Sequence, residues 1–180
     1  MSQIVIVSGP PGAGKSTVCD LLCERYDRTV HLLTDEAYGW IRMGFIEPWK
    51  PGSLTQNLTV SRAAARAATA FAQARYGVFV DGVIGPQHLP VYLEELQAGG
   101  VPVHYAVLLP SLDETKRRAL NLEKQILGAD DMFARVYAMF ADQPASAGCT
   151  IDSTSLSAQQ TADRVMDACG RGDCLVYTPP

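Results

Sequence analysis

Short apolar runs recur along the chain at 4–8, 30–34, 78–81, 103–109 and, more weakly, 148–152. Each is four to seven residues long and centred on β-branched or other apolar residues, so each predicts a strand. Between them the apolar positions shift to a spacing of three and four. That spacing predicts helices over 15–25, 35–43, 54–75, 87–98, 112–127, 130–140 and 158–169. Strands that are apolar on both faces and alternate with helices predict an α/β fold, a parallel sheet with helices on both faces.

Two segments break this rhythm. Residues 44–52, Gly-Phe-Ile-Glu-Pro-Trp-Lys-Pro-Gly, combine prolines, glycines and large aromatics. They suit either a loop that covers a ligand or a plain connection with Trp49 tucked onto the core. Residues 171–180 end in Thr-Pro-Pro and are expected to form a loosely held tail.

Composition narrows the picture. With 180 residues, 47% hydrophobic and 19% charged, the chain can bury one sizeable core. A formal net charge of −4 argues against nucleic acid as the main partner. No apolar run approaches the length of about 18 residues that a membrane span requires, and the expected location is the cytoplasm. The cysteines at 19, 23, 149, 169 and 174 are odd in number and lack paired C-x-x-C spacing. They are therefore read as reduced and structural, without a zinc site or a disulfide framework.

The strongest chemical signal is Val-Ser-Gly-Pro-Pro-Gly-Ala-Gly-Lys-Ser-Thr at 7–17, directly after the first strand. Gly9, four residues, then Gly14, Lys15 and Ser16 fit the phosphate-loop pattern, in which bare backbone lets amide N–H groups turn around an anion. Gly9, Pro10, Pro11, Gly12, Ala13, Gly14, Lys15, Ser16 and Thr17 are the candidate contacts to the phosphates of ATP. Lys15 supplies a compact charge, Ser16 a hydroxyl for Mg²⁺, and the following helix its positive N-terminal end. No Asn-Lys-x-Asp guanine reader occurs, and Val78-Phe79-Val80-Asp81 runs into Gly82 rather than into a second acid. A guanine switch and a motor ATPase are both disfavoured.

In the order of its motifs the chain resembles the small P-loop kinases, among them gluconate and shikimate kinases, chloramphenicol phosphotransferase and adenylate-kinase-like enzymes. The resemblance rests on 9–16, on Leu32-Leu33-Thr34-Asp35, on 78–82, on Lys116-Arg117-Arg118 and on Cys149-Thr150-Ile151-Asp152-Ser153-Thr154. It implies a three-layer P-loop nucleoside triphosphate hydrolase fold with a central parallel five-stranded sheet in the order 2-3-1-4-5, and ligands outside the carboxyl ends of the strands. It further implies a kinase domain over 1–170, with an acceptor-covering region at 36–75 and a lid region at 112–140, followed by the tail at 171–180. The expected activity is transfer of the γ-phosphoryl group of ATP, with Mg²⁺, to a hydroxyl of a small molecule. Kinases of nucleotide sugars or polynucleotide 5′-hydroxyls, and an ATP-binding regulator without turnover, are the alternatives.

Roles for single residues follow from that resemblance. Asp35, at the end of the second strand, is the candidate base toward the acceptor hydroxyl and a candidate partner of the metal through water; it also suits a helix N-cap. Asp81 is a candidate for metal-bound water and the acceptor side, or a turn residue before Gly82. Arg117 and Arg118 are candidate lid cations at the transferring group. Successive helical residues point about 100° apart, so one of the two at most faces the nucleotide; Lys124 is a further lid candidate. Arg62 and Arg66 share one helix face and meet either the acceptor or solvent, and Trp49 is a candidate acceptor contact. His31, His88 and His104 are scattered and are read as packing or surface residues. The segment 81–86 is similar to the Asp-Gly-x-Pro-Arg segment of adenylate kinases, but Gln87 stands where the arginine would be. A nucleoside monophosphate acceptor needs arginine forks, whereas a hydroxyl acceptor (of a metabolite, sugar acid or antibiotic) needs a base, so this departure favours a hydroxyl acceptor.

Overall fold

The strand that opens the chain, β1 (Ile4–Ser8), is wholly buried and splits its side chains between two cores. Ile4 and Ile6 join one, and Val5 and Val7 the other. Two buried faces on one strand require helices on both sides of the sheet. The computed structural model describes residues 3–120, 130–142 and 148–180. After β1 come α1 (Lys15–Cys23), β2 (Thr29–Leu33), α2 (Thr34–Tyr38), α3 (Leu54–Gln73), β3 (Gly77–Gly82) and α4 (Leu89–Leu96), which ends in a 3₁₀ turn at Gln97–Gly99. The chain continues through β4 (Val103–Leu108), α5 (Leu112–Leu120), α6 (Asp130–Ala141), β5 (Cys149–Ile151), α7 (Ala158–Arg171) and β6 (Leu175–Tyr177).

Five strands are parallel in the order β2-β3-β1-β4-β5, as expected. The alanine-rich face of α3 (Ala64, Ala65, Ala68, Ala72) and Leu89, Tyr92 and Leu96 of α4 cover Ile4, Ile6, Val78 and Val80. On the other face, Val18, Cys19 and Leu22 of α1 join Ala162, Val165 and Ala168 of α7 over Val5, Val7 and Phe79. α7 opens with a reciprocal capping box between Ser157 and Gln160. Among the described residues no helix is long and apolar enough to cross a membrane.

Three expectations are corrected. The C-terminal segment is not merely a tail: Leu175–Tyr177 pair antiparallel with β4 as a sixth strand. β5 takes the half of the β4 edge from Ala106 to Leu108, and β6 takes Val103 and His104. That sharing brings together two cysteines 25 residues apart in sequence, and Cys149 and Cys174 are joined as a disulfide, against the expectation of reduced thiols. Cys19, Cys23 and Cys169 are free. Finally, α2 stops at Tyr38 rather than 43, capped by the backbone of Gly39. The end of the helix expected over 112–127, and Lys124 with it, lies outside the described residues.

Candidate functional site

The loop between β1 and α1 lies at the carboxyl end of the central strand, where the sheet order puts β3 on one side and β4 on the other. Its glycines are bare for two reasons. Gly12 and Gly14 hold left-handed φ values of 83° and 89°, which favour glycine. Packing is the second reason: a Cβ on Gly9 would stand 2.2 Å from the Leu108 carbonyl oxygen, and one on Gly12 2.4 Å from that of Thr115 in α5. The loop is thus wedged between the end of β4 and α5. Gly14 is the N-cap of α1, and Ala13 N–H donates to Pro10 O at 3.1 Å. Lys15 folds back so that Nζ donates to the same carbonyl at 3.1 Å. Burial lowers the Lys15 pKa, and the charges of Asp81 and Asp35 partly restore it. A curved backbone without Cβ atoms, a lysine and a helix N-terminus fit a triphosphate chain.

Asp81 lies at the end of β3, level with Val7 of β1 and Leu33 of β2, and is buried. It is a strand residue rather than a turn residue. Its Oδ2 is 3.2 Å from His31 Nε2, and His31 Nδ1 is 2.9 Å from Asp20 Oδ1 on α1. Burial pushes the Asp81 carboxyl up, but the hydrogen bond from His31, the Lys15 charge and a hydrogen bond with Ser16 outweigh it and hold it below its ordinary value. His31 is raised above its usual 6.5, first by the bond to Asp81, against burial, with Asp20 adding to it. An ionised Asp81 beside the exposed Ser16 hydroxyl suits the water shell of Mg²⁺. Among the described residues no group of three or more His, Cys, Asp or Glu forms a metal cage of its own. A magnesium ion held by one hydroxyl, phosphates and its own waters needs none.

Asp35 is exposed in the first turn of α2, whose N-cap is Leu33. It is therefore not the N-cap. Its charge opposes the effect of burial on Lys15 and adds to that of burial, the larger cause, in raising the pKa values of Tyr38 and Tyr92. Tyr38 OH donates to Asn57 Oδ1 at 3.3 Å, and the Tyr92 side chain is buried in the core beneath α3 and α4. Ser8 ties the floor of this region together: its hydroxyl lies 3.0 Å from Gly82 O and 2.9 Å from Ile84 O, and it accepts from Ile84 N–H at 2.9 Å. Tyr105 OH donates to the same Ile84 carbonyl at 2.6 Å.

The two lid arginines separate as helical geometry requires. Both bond Glu114, which they hold at about 2. Arg118 also donates to Ser153 O at 3.1 Å and approaches Gly14, whereas Arg117 is exposed and, among the described residues, pairs with Glu114. Arg118 alone thus spans the phosphate loop and the turn after β5. Arg62 and Arg66 face α4: Arg66 forks onto Glu95 at 2.8 and 2.9 Å, and Arg62 lies 3.8 Å from Glu94 and 3.9 Å from Glu95. The carboxylates nearest Arg62 are thus those of α4. Trp49 is not tucked onto the core but half-exposed in the covering loop.

His31, Ser8 and Tyr92 were missed by sequence reasoning. A serine closing a fully apolar strand is a signal for Ser8. His31 carries none, since its partners stand 11 and 50 residues away.

No family model matches this sequence, and no curated protein matches it. Solved structures do match in shape. The tunicamycin resistance protein of Deinococcus radiodurans is 19% identical, with all of both chains covered and a TM-score of 0.67. A sugar kinase from Janibacter sp. is 17% identical over 94% of this chain and 95% of its own, with a TM-score of 0.73. The APS kinase of Mycobacterium tuberculosis, solved with AMPPNP and APS, is 19% identical over 94% of this chain and 98% of its own, with a TM-score of 0.60. At these identities the likeness shows the fold, which is that of the P-loop kinases.

Proposed function

We infer that this chain, built on the P-loop kinase fold, is a phosphotransferase that moves the γ-phosphoryl group of ATP to a hydroxyl of a small molecule. The observation that carries the reading is a phosphate loop whose Lys15 folds over it onto Pro10 O, with a buried Asp81 carboxylate bonded to His31 at the end of the neighbouring strand. A binding module that only senses nucleotide has no use for an exposed carboxylate on the acceptor side of that lysine. The fold neighbours that are kinases support the reaction class.

The roles follow from charge and position. The loop amides and Lys15 would hold the phosphates, and the Ser16 hydroxyl and the Asp81 carboxylate would hold Mg²⁺. Bound there, the metal supplies charge neutralisation on the phosphates. His31 keeps Asp81 ionised and oriented. Asp35 accepts the proton of the acceptor hydroxyl as the oxygen attacks phosphorus. Arg118, reaching from α5 to the turn at Ser153, neutralises charge that develops on the transferring group. Phosphoryl transfer asks mostly for alignment and charge stabilisation, and these residues supply both.

The test is Mg²⁺-dependent ATP consumption across a panel of sugars, sugar acids, nucleosides and hydroxylated antibiotics, with Lys15→Ala in parallel. An acceptor that raises turnover well above background only when Lys15 is present supports the reading. Tight ATP binding with no acceptor-dependent turnover refutes it in favour of a regulator.

A further inference from the structure

Two of the three nitrogens of the Arg118 guanidinium are held by the protein. Nε donates to Glu114 Oε1 at 2.6 Å and Nη2 to Ser153 O at 3.1 Å, with Thr154 O a further acceptor at 3.5 Å. The third nitrogen, Nη1, lies against the phosphate loop, 4.0 Å from the point where a Cβ on Gly14 would stand. A guanidinium is a rigid plane, so fixing two nitrogens decides where the third one points. A long side chain left without such partners explores many rotamers, and ordering it only when a ligand arrives is costly.

The acceptors that hold Arg118 are themselves tied together and to the loop. Glu114 lies in the first turn of α5, where its N–H donates to Ser111 Oγ at 3.3 Å. Ser111 N–H donates to Thr154 Oγ at 2.8 Å, and Thr154 N–H donates to Asp152 Oδ1 at 2.9 Å. These bonds stitch the start of α5 to the turn after β5, so Glu114 and the Ser153 carbonyl keep one mutual arrangement. Thr115, next to Glu114, donates to Ser111 O at 2.7 Å, and its carbonyl is the atom against which Gly12 packs. From the solvent side Arg117 braces the same Glu114 carboxylate through Nε and Nη2, both at 2.7 Å.

We propose that Glu114 is the positioning residue of Arg118: with the Ser153 carbonyl it fixes the guanidinium so that Nη1 faces the phosphates of a nucleotide in the loop. This assignment rests on the nucleotide-binding part of the kinase reading and deepens it. Glu114 takes Nε and leaves the loop-facing nitrogen to the ligand, so it orients the arginine rather than competing with phosphate for it. An arginine set in place before the nucleotide binds needs no reorganisation when charge develops on the transferring group.

The experiment is a double-mutant cycle on the full-length protein: Glu114→Ala, Arg118→Met and the two combined. Glu114→Met replaces Glu114→Ala if the latter does not fold. Isothermal titration calorimetry measures the affinity for the ATP analogue AMPPNP with Mg²⁺. Each single substitution is expected to weaken binding about tenfold, the worth of a hydrogen bond to a charged group, and the double variant binds as Arg118→Met does alone. Glu114→Gln, whose amide oxygen still accepts from Nε, stays within about threefold of wild type. With an acceptor that supports transfer, Glu114→Ala lowers kcat and leaves the acceptor KM unchanged, and it does neither once Arg118 is methionine. Losses that multiply across the two sites overturn the proposal, because Glu114 then acts without Arg118. Unchanged affinity in either single variant overturns it as well, and so does tighter binding in Glu114→Ala, which would make the carboxylate a competitor of the phosphates. Coupled losses of affinity without transfer to any acceptor uphold the positioning of Arg118 and remove the kinase reading. Lys15-dependent transfer without coupling between Glu114 and Arg118 refutes the positioning role and leaves the kinase reading standing.

Discussion

Gly12→Ala tests whether the phosphate loop is bare for packing as well as for its ligand. The new Cβ carries two penalties. The left-handed φ of 83° at Gly12 disfavours any L side chain by roughly 1–2 kcal/mol. The Cβ would also lie 2.4 Å from Thr115 O and 2.9 Å from Ala119 N, both backbone atoms of α5, so the helix must move. Overpacking of this kind costs about 1–3 kcal/mol, for a total of about 2–5 kcal/mol. In a chain of this size that lowers Tm by about 4–20 °C. Gly14→Ala is the control. Its φ of 89° is equally unfavourable, but the nearest atom to its Cβ is the end of the flexible Arg118 side chain at 4.0 Å. It carries the conformational penalty alone, about 2–8 °C. Thermal unfolding without nucleotide, monitored by circular dichroism, measures both. If Gly12→Ala melts no lower than Gly14→Ala, the wedging of the loop against α5 is wrong.

Other substitutions bear on the roles of single groups. Asp35→Asn lowers kcat on the true acceptor by roughly 10²–10⁴ with ATP affinity nearly unchanged, the loss expected for a general base; unchanged kcat in steady-state assays refutes that role. Arg118→Met lowers kcat by about 10³, whereas Arg117→Met leaves it within about twofold because the side chain is exposed; equal effects in the same assay would undo the distinction. His31 has a pKa raised above 6.5, so its bonds to Asp81 and Asp20 contribute fully below that value and fade as pH rises through the raised pKa. The stability gap between wild type and His31→Gln therefore narrows in urea unfolding as pH rises above 6.5 and through the raised pKa. A gap that widens with pH contradicts the assignment.

What was legible in the sequence follows the range over which each signal acts. β1, the loop at 9–16 and the start of α1 are contiguous, and their alternation, glycine spacing and lysine all read within about a dozen residues. β1 and the first residue of α3 fall where the apolar pattern predicts, because a strand buried on both faces and a long amphipathic helix state their period repeatedly. α2 was overestimated because Gly39 and the prolines of the covering loop outweigh the helical pattern beyond Tyr38. β6 was missed because three residues carry too little pattern; it exists only because β5 leaves half of the β4 edge open.

By itself the sequence determined the class of fold, the phosphate loop and the chemical types available to it, since these depend on local backbone sterics and short periodicity. Tertiary structure decided which of those groups act together. The order β2-β3-β1 sets Asp81 level with Val7 and within reach of His31, and one step of 100° around α5 turns Arg118 toward the loop and Arg117 toward water. The same sheet, by seating β5 and β6 along one edge of β4, joined Cys149 to Cys174. Such pairings span tens of residues, and no local preference encodes them; they arise when the sheet buries both its faces and every strand acquires fixed neighbours.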